Sequence, residues 1–400
     1  METAAERRIP VWGLVAAGWA LALLLAAGIP AGRSGFFPWR VPDQPAGVDL
    51  AMMLGYSRAW LETGNPYAEL NPYPPLAALA FAPLTRVPFE AARMLVAGLT
   101  VAAFASVALV LPLRVFPGAD RRAVALAALA GLCSYGFWFE LRWGQFNVLA
   151  LACAAWGAWL FHRGRSRGAR WAAYGLFSAG IQLKLYPAIF VVALARDARA
   201  GRGNLGRWAG LGAVTLVLLL AAGPRAFVEF LHSLRLQAAA PYAWAGNHSL
   251  QSFAEWTGGP VGAGILVAAW GGCCAWALAT AARKGGRRAF AGLVMVCTTG
   301  ALLLPGVSHD YKLAALPMAF AFLAGAAEPL PGGGLRGGRE AGMFLALSVA
   351  VAWTQFSYAV KPAALQNNAP FLLAAAGLAA AWGATSGGRE PAADGKETWR

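Results

Sequence analysis

Residues 171–195, WAAYGLFSAGIQLKLYPAIFVVALA, are apolar and long enough to cross a membrane, yet a single crossing does not suit them. Arg163, Arg165, Arg167 and Arg170 precede the stretch, and Arg196, Arg199, Arg202 and Arg207 follow it. Basic clusters mark the cytoplasmic ends of membrane helices, so both ends of this stretch belong on one side. Lys184 falls near its middle, where a charge facing lipid is costly, and Pro187 interrupts a regular helix. The spacing therefore predicts a hairpin of two shorter helices with Lys184 at its tip, deep in the protein.

The rest of the chain fits that frame. Of 400 residues, 58% are hydrophobic and 13% charged, whereas a soluble domain carries about 25% charge because its surface faces water. Backbone groups in lipid must bond internally, so the apolar runs are read as helices. Spans are expected near 11–29, 90–113, 123–140, 146–162, 208–222, 261–282, 289–304, 311–327, 341–359 and 369–384. The expected fold is an all-α polytopic membrane protein: roughly ten spanning helices plus the hairpin, as one domain over 1–385 with a cytoplasmic tail at 386–400. A first helix with Arg7 and Arg8 before it is expected to be retained, since Ala31-Gly32-Arg33 is a poor cleavage site.

The net charge of +15 suits basic cytoplasmic loops better than nucleic acid. Further basic groups at Arg114, Arg121 and Arg122, at Arg283, Lys284, Arg287 and Arg288, and at Arg336 and Arg339 follow the same alternation. Both termini are then cytoplasmic. The five cysteines lie in apolar runs without disulfide or metal spacing.

The breaks left for the extracytoplasmic face hold the unusual polar residues. They are 31–89, 140–147, 223–260, 305–312 and 361–368, with Asp43, Asp49, Gln145, Asn147, Asn247, His248, His309 and Asp310. Within the long first loop, 49–64 reads as a helix lying along the membrane, with Asp49 as its cap and Arg58 and Glu62 on its polar side. A short apolar segment, 76–84, follows at the outer face.

A series of short motifs runs along the chain, starting with Asp49-Leu50, Tyr56, Ala59, Gly64-x-Pro66-Tyr67, Tyr73-Pro-Pro-Leu76 and Pro83-Leu84. It continues with Gly144-Gln145-x-Asn147, Gly180-x-x-x-Lys184-x-x-Pro187, Asn247-x-Ser249-Leu250 and Ser308-His309-x-Tyr311. In this order the motifs resemble those of glycosyltransferase family 87. Two positions depart from the pattern: His248 stands where Gln is usual, and Asp310 where a second histidine is common.

The resemblance implies a GT-C fold and an inverting transfer of a hexose, mannose by expectation, from a polyprenyl-phosphate donor to an acceptor hydroxyl. The acceptor would be a glycan, glycolipid or similar molecule, met on the extracytoplasmic face of a bacterial-type inner or plasma membrane. Asp49 takes the place of the family's general base, with Asp43 as the fallback. Lys184, His309, Arg142, Gln145, Asn147, Tyr73 and Arg58 are the candidates for donor phosphate and sugar. Asn247, His248 and Asp310 are weaker candidates for the acceptor. No cofactor or metal is expected, although Asp49, Asp310 and Glu140 are carboxylates that a cation would need. A secondary transporter is the rival from another class, since broken helices and a midplane lysine suit one. A non-catalytic protein that binds or flips lipid-linked sugars is the other.

Overall fold

Charges are scarce in this chain, so helices form wherever an apolar run can close its own backbone hydrogen bonds. A computed structural model describes residues 9–28, 45–67, 69–164, 166–194, 201–239, 246–257, 259–328, 334–335, 338–357 and 366–385. Asp43 with the whole of 29–44, and the tail 386–400, lie outside the described residues. The helices begin with α1 (Val11–Gly28), α2 (Val48–Thr63), α3 (Pro75–Phe81), α4 (Phe89–Ala105), α5 (Leu111–Val115) and α6 (Arg121–Leu132). Next come α7 (Tyr135–Trp143), α8 (Asn147–Arg163), α9 (Arg167–Leu183), α10 (Gly201–Leu220), α11 (Pro224–Ala239) and α12 (Leu250–Thr257). The series closes with α13 (Gly259–Lys284), α14 (Arg287–Leu303), α15 (Ala315–Ala326), α16 (Gly338–Phe356) and α17 (Ala369–Ala384). Two short strands, β1 (Ile9–Pro10) and β2 (Gly334–Leu335), pair antiparallel.

Three described helices are long and apolar enough to cross a bilayer unaided: 89–115, 203–220 and 261–284. The first is α4 and α5 joined through a π-helical turn over Ser106–Val110. Large apolar side chains stand exposed along them, among them Met94, Val217, Val261 and Ile265. Such continuous apolar faces suit lipid rather than water. The expected single span 123–140 is instead two helices, α6 and α7, bent by 50°. Ser134 causes the break: its hydroxyl accepts from Phe137 N and starts α7 afresh. The expected span 311–327 also shortens, because its first turn is the 3₁₀ segment Asp310–Ala314.

The hairpin is present in modified form. Ser166 caps α9, which runs to Leu183; Lys184 is extended, and the chain returns as a 3₁₀ segment over Tyr186–Leu194. At one end the Tyr186 hydroxyl donates to Asn147 O, and at the other His162 Nε2 lies 2.7 Å from Ala193 O. The return limb thus travels nearly the whole length of α8. Glycines let the first limb pack closely: a Cβ on Gly180 would lie 2.5 Å from Ala150 O of α8.

The basic loops gather at one end of the bundle. Arg287 donates to Pro117 O, Lys284 to Ala384 O, and Arg288 pairs with Glu328 and Glu340. The far end of α8, roughly 25 Å away at 1.5 Å per residue, carries the polar residues described next. Between them, the π-helical turn, α5, α8, the 3₁₀ return limb, α14 and α15 line a partly open apolar cavity. Leu151, Trp159, Phe190, Val294 and Met318 are among the residues that line it.

Candidate functional site

Two glycines dock the first outer loop onto the bundle. Gly144 ends α7 with φ 68°, and Gly47 precedes α2 with φ 81°, conformations that L side chains avoid. The two ends touch: Gly47 N donates to Arg142 O at 2.7 Å. A Cβ on Gly144 would lie 2.8 Å from Leu50 Cβ, so only glycine allows this approach. Leu50, Met53 and Leu54 of α2 then pack with Ala77, Phe81 and Phe146 into a buried cluster.

The docking brings Asp49 over Gln145. Sequence predicted Asp49 as the cap of α2, but Gly47 holds the N-cap position and no side-chain cap bond forms. The carboxylate instead accepts a hydrogen bond from Gln145 Nε2. The same nitrogen lies 3.4 Å from the Tyr73 hydroxyl. The other end of the amide, Gln145 Oε1, accepts from Lys184 Nζ at 2.7 Å and from Asn147 Nδ2 at 3.3 Å. One side-chain amide therefore stands between a carboxylate and an ammonium, and its orientation follows from what it bonds.

Aromatic faces complete the environment of Lys184. Its Nζ lies 4.3 Å from the Tyr73 ring centre, 4.5 Å from that of Phe146 and 5.6 Å from that of Tyr311. Such faces favour a cation electrostatically. Burial pushes Asp49 above its ordinary value, while the Gln145 hydrogen bond and the Lys184 charge hold it back.

Glu140 lies beneath this pair, fully buried in α7. Its carboxylate accepts from Asn147 Nδ2 at 2.8 Å and Val148 N at 2.9 Å, so it caps α8 from a neighbouring helix. Sequence reasoning gave it no role beyond a conceivable cation ligand. The available signal was its charge inside an apolar run.

His309 approaches from the α14–α15 connection, with its ring 5.4 Å from that of Tyr311. Tyr311 thus stands between it and Lys184. Burial lowers its pKa to about 4, with the nearby Lys312, His248 and Lys184 adding to the effect and Asp310 opposing it. At neutral pH it offers hydrogen bonds rather than charge.

The three weaker candidates form a buried knot instead of an open acceptor surface. Asn247, His248 and Asp310 are each 2% exposed or less. His248 Nδ1 accepts from Asn368 N, so its hydrogen sits on Nε2, which donates to Asp310 Oδ1 at 2.8 Å. The Tyr135 hydroxyl reaches Asp310 Oδ2 at 3.3 Å. Asn247 bonds to Ser308 N, Gly306 O and Ser249 N, pinning the loop that carries His309. Arg58 is exposed nine residues beyond Asp49, about half a turn round α2. The exposed Arg142 meets the site through its carbonyl, which accepts from Gly47.

The sequence profile of glycosyltransferase family 87 matches residues 71–305. The chain belongs to glycosyltransferase family 87. The matched region contains Tyr73, Glu140, Gln145, Asn147 and Lys184, while Asp49 and His309 flank it. The family's glycosyltransferase assignment and the apolar helices together make this a membrane glycosyltransferase. No curated protein and no solved structure matches the chain.

Proposed function

We propose that the chain transfers a hexose, mannose being the favoured sugar, from a polyprenyl-phosphate donor to an acceptor hydroxyl. The reaction would take place at the extracytoplasmic face. One observation carries this reading: Asp49 and Lys184 are held at opposite ends of the Gln145 amide. A base and an anion-binding group are thereby kept adjacent without neutralising each other in a direct ion pair.

In this reading Asp49 takes the acceptor proton as the acceptor oxygen attacks the anomeric carbon. The bond from that carbon to the phosphate oxygen breaks on the opposite face, inverting the centre, and prenyl phosphate departs with the bonding pair. Lys184 stabilises the charge that grows on the phosphate, where fixed donors act most strongly. Neutral His309 and the Tyr73 hydroxyl donate to sugar or phosphate oxygens. Asn147 Oδ1, buried without a hydrogen-bond partner among the described residues, suits a sugar hydroxyl. The basic loops at the opposite end of the bundle support an outward-facing site. The apolar cavity suits the prenyl chain, since Leu151 on its wall lies one turn of α8 below Asn147.

Membranes carrying the wild-type chain, supplied in parallel with radiolabelled prenyl-phosphate hexose and nucleotide hexose, test the donor class. Label should move to an extractable acceptor from the lipid-linked donor alone. Transfer from the nucleotide sugar only would overturn the donor assignment, and transfer from neither would favour a binding or transport role.

A further inference from the structure

A second buried lysine has no role in the scheme so far. Lys312 is 8% exposed, as is Lys184. Its Nζ donates to Val307 O at 2.6 Å and sits 5.1 Å from the Tyr186 ring centre. No carboxylate lies within ion-pair distance of either lysine among the described residues.

An ammonium has three hydrogens to donate, and each lysine directs one of them to a protein oxygen. Burying an ammonium without a counter-charge is expensive, and two such groups compound the cost. The two lysines also interlock. Tyr186, two residues after Lys184, lies beneath Lys312, while Tyr311, just before Lys312, faces Lys184. They are close enough for their charges to repel. Lys184 feels Glu140 and Asp49 at a distance. Ser308, next to the carbonyl that Lys312 binds, is buried with its hydroxyl unpartnered among the described residues. Two buried ammoniums with spare donors and no direct ion pair among the described residues can serve an anion.

We propose that Lys312 joins Lys184 in a two-ammonium cradle for a prenyl phosphate monoester, the leaving group of the transfer. The choice of leaving group rests on the reading above. The donor is a phosphodiester with one negative charge; once the sugar has left, the phosphate is a monoester that carries up to two. A pair of ammoniums therefore favours the departing phosphate over the bound donor, which is where binding energy accelerates a reaction. Prenyl phosphate should accordingly act as a tight product inhibitor.

The test uses the full chain in lipid nanodiscs and three probes: a short-chain prenyl phosphate, the matching prenyl alcohol and inorganic phosphate. Binding is read by affinity and by the shift in Tm, for wild type, Lys312→Met and Lys312→Arg. The wild type should bind prenyl phosphate more tightly than either other probe. Lys312→Met should weaken it by about tenfold or more while leaving the alcohol unchanged. Lys312→Arg should retain most of the affinity. Ligand-free Lys312→Met should melt at or above the wild-type temperature, because a buried unpaired charge has been removed.

Wild-type affinity in Lys312→Met, an equal loss for phosphate and alcohol, or a sharply lower ligand-free Tm would each overturn the proposal. Inorganic phosphate binding as tightly as prenyl phosphate would refute the lipid assignment. A wild-type chain that binds prenyl phosphate through Lys312 yet moves no sugar would leave the cradle standing and remove the transferase reading.

Discussion

Two buried polar groups lie within a few residues of each other and are built on opposite plans. In the knot of Asn247, His248 and Asp310, the charged and polar atoms find partners: histidine to aspartate, tyrosine to aspartate, asparagine to backbone. Around Lys184 and Lys312, positive charge is buried against aromatic rings with one protein hydrogen bond apiece. A satisfied network serves the fold, because it has nothing left to offer a ligand. An unsatisfied one is a cost to the fold, and persists where a ligand completes it. The knot orients His309 and its loop; the lysines are the groups we propose for the substrate.

That contrast can be broken from either side. Between these two groups, the larger effect is expected on the ligand-facing side. Lys184→Met should lower transfer by about 10²–10³-fold, the cost of removing one charge-stabilising donor. Its Tm without ligand should hardly fall, which circular dichroism on the purified chain can check. The knot should behave the other way. His248→Phe strands a buried Asp310 oxygen and should cost about 2–3 kcal/mol of stability. Its thermal unfolding should move well below wild type before any change in donor affinity. If His248→Phe melts normally and Lys184→Met does not, the two plans have been assigned to the wrong groups.

Smaller effects sharpen how the site is held. Gly144→Ala forces a side chain into left-handed backbone and against Leu50, a strain of about 1–2 kcal/mol. Relief would shift α2 and draw Asp49 from Gln145, so transfer should fall while affinity for prenyl phosphate stays. The subtlest change is in the pH profile. Asp49 must be ionised to act, so the rate falls as pH drops through its pKa, which burial has already raised. Removing the Gln145 hydrogen bond raises it further. Gln145→Leu should therefore move the acid limb of the rate profile to higher pH; a limb that moves down, or stays put, would mean that Asp49 is not the titrating base.

Much of this was legible in the sequence, and the reasons differ by residue. Lys184 and its hairpin could be read because two arginine clusters forced both ends to one side. Asp49 and Gln145 could be grouped because their motifs fell in breaks of the same charge class, and Lys184 because the hairpin put it deep in the protein. That the three are joined through one amide could not be read, since it depends on Gly47 and Gly144 meeting across 97 positions of sequence. Asp49 looks like a cap in sequence because the left-handed glycine two residues before it leaves no trace in hydropathy. The bend between α6 and α7 was hidden for a similar reason, since Cys133-Ser134 interrupts neither apolarity nor length. Lys312 and Glu140 were visible as charges at the margins of apolar runs, where one charge reads as an end effect until its surroundings are known. Arg58 and Arg142 were named for their proximity in sequence to motif residues; helix phase turns Arg58 away from the Asp49 side, and Arg142 is exposed.

The central claim is that Asp49 performs the proton transfer at a site whose anion-binding half is separate and intact without it. Transfer from radiolabelled prenyl-phosphate hexose, measured beside prenyl phosphate affinity for wild type and Asp49→Asn, tests both halves together. The expected result is a rate loss of about 10²–10⁴-fold with affinity unchanged. An Asp49→Asn chain that transfers sugar at the wild-type rate would contradict the account.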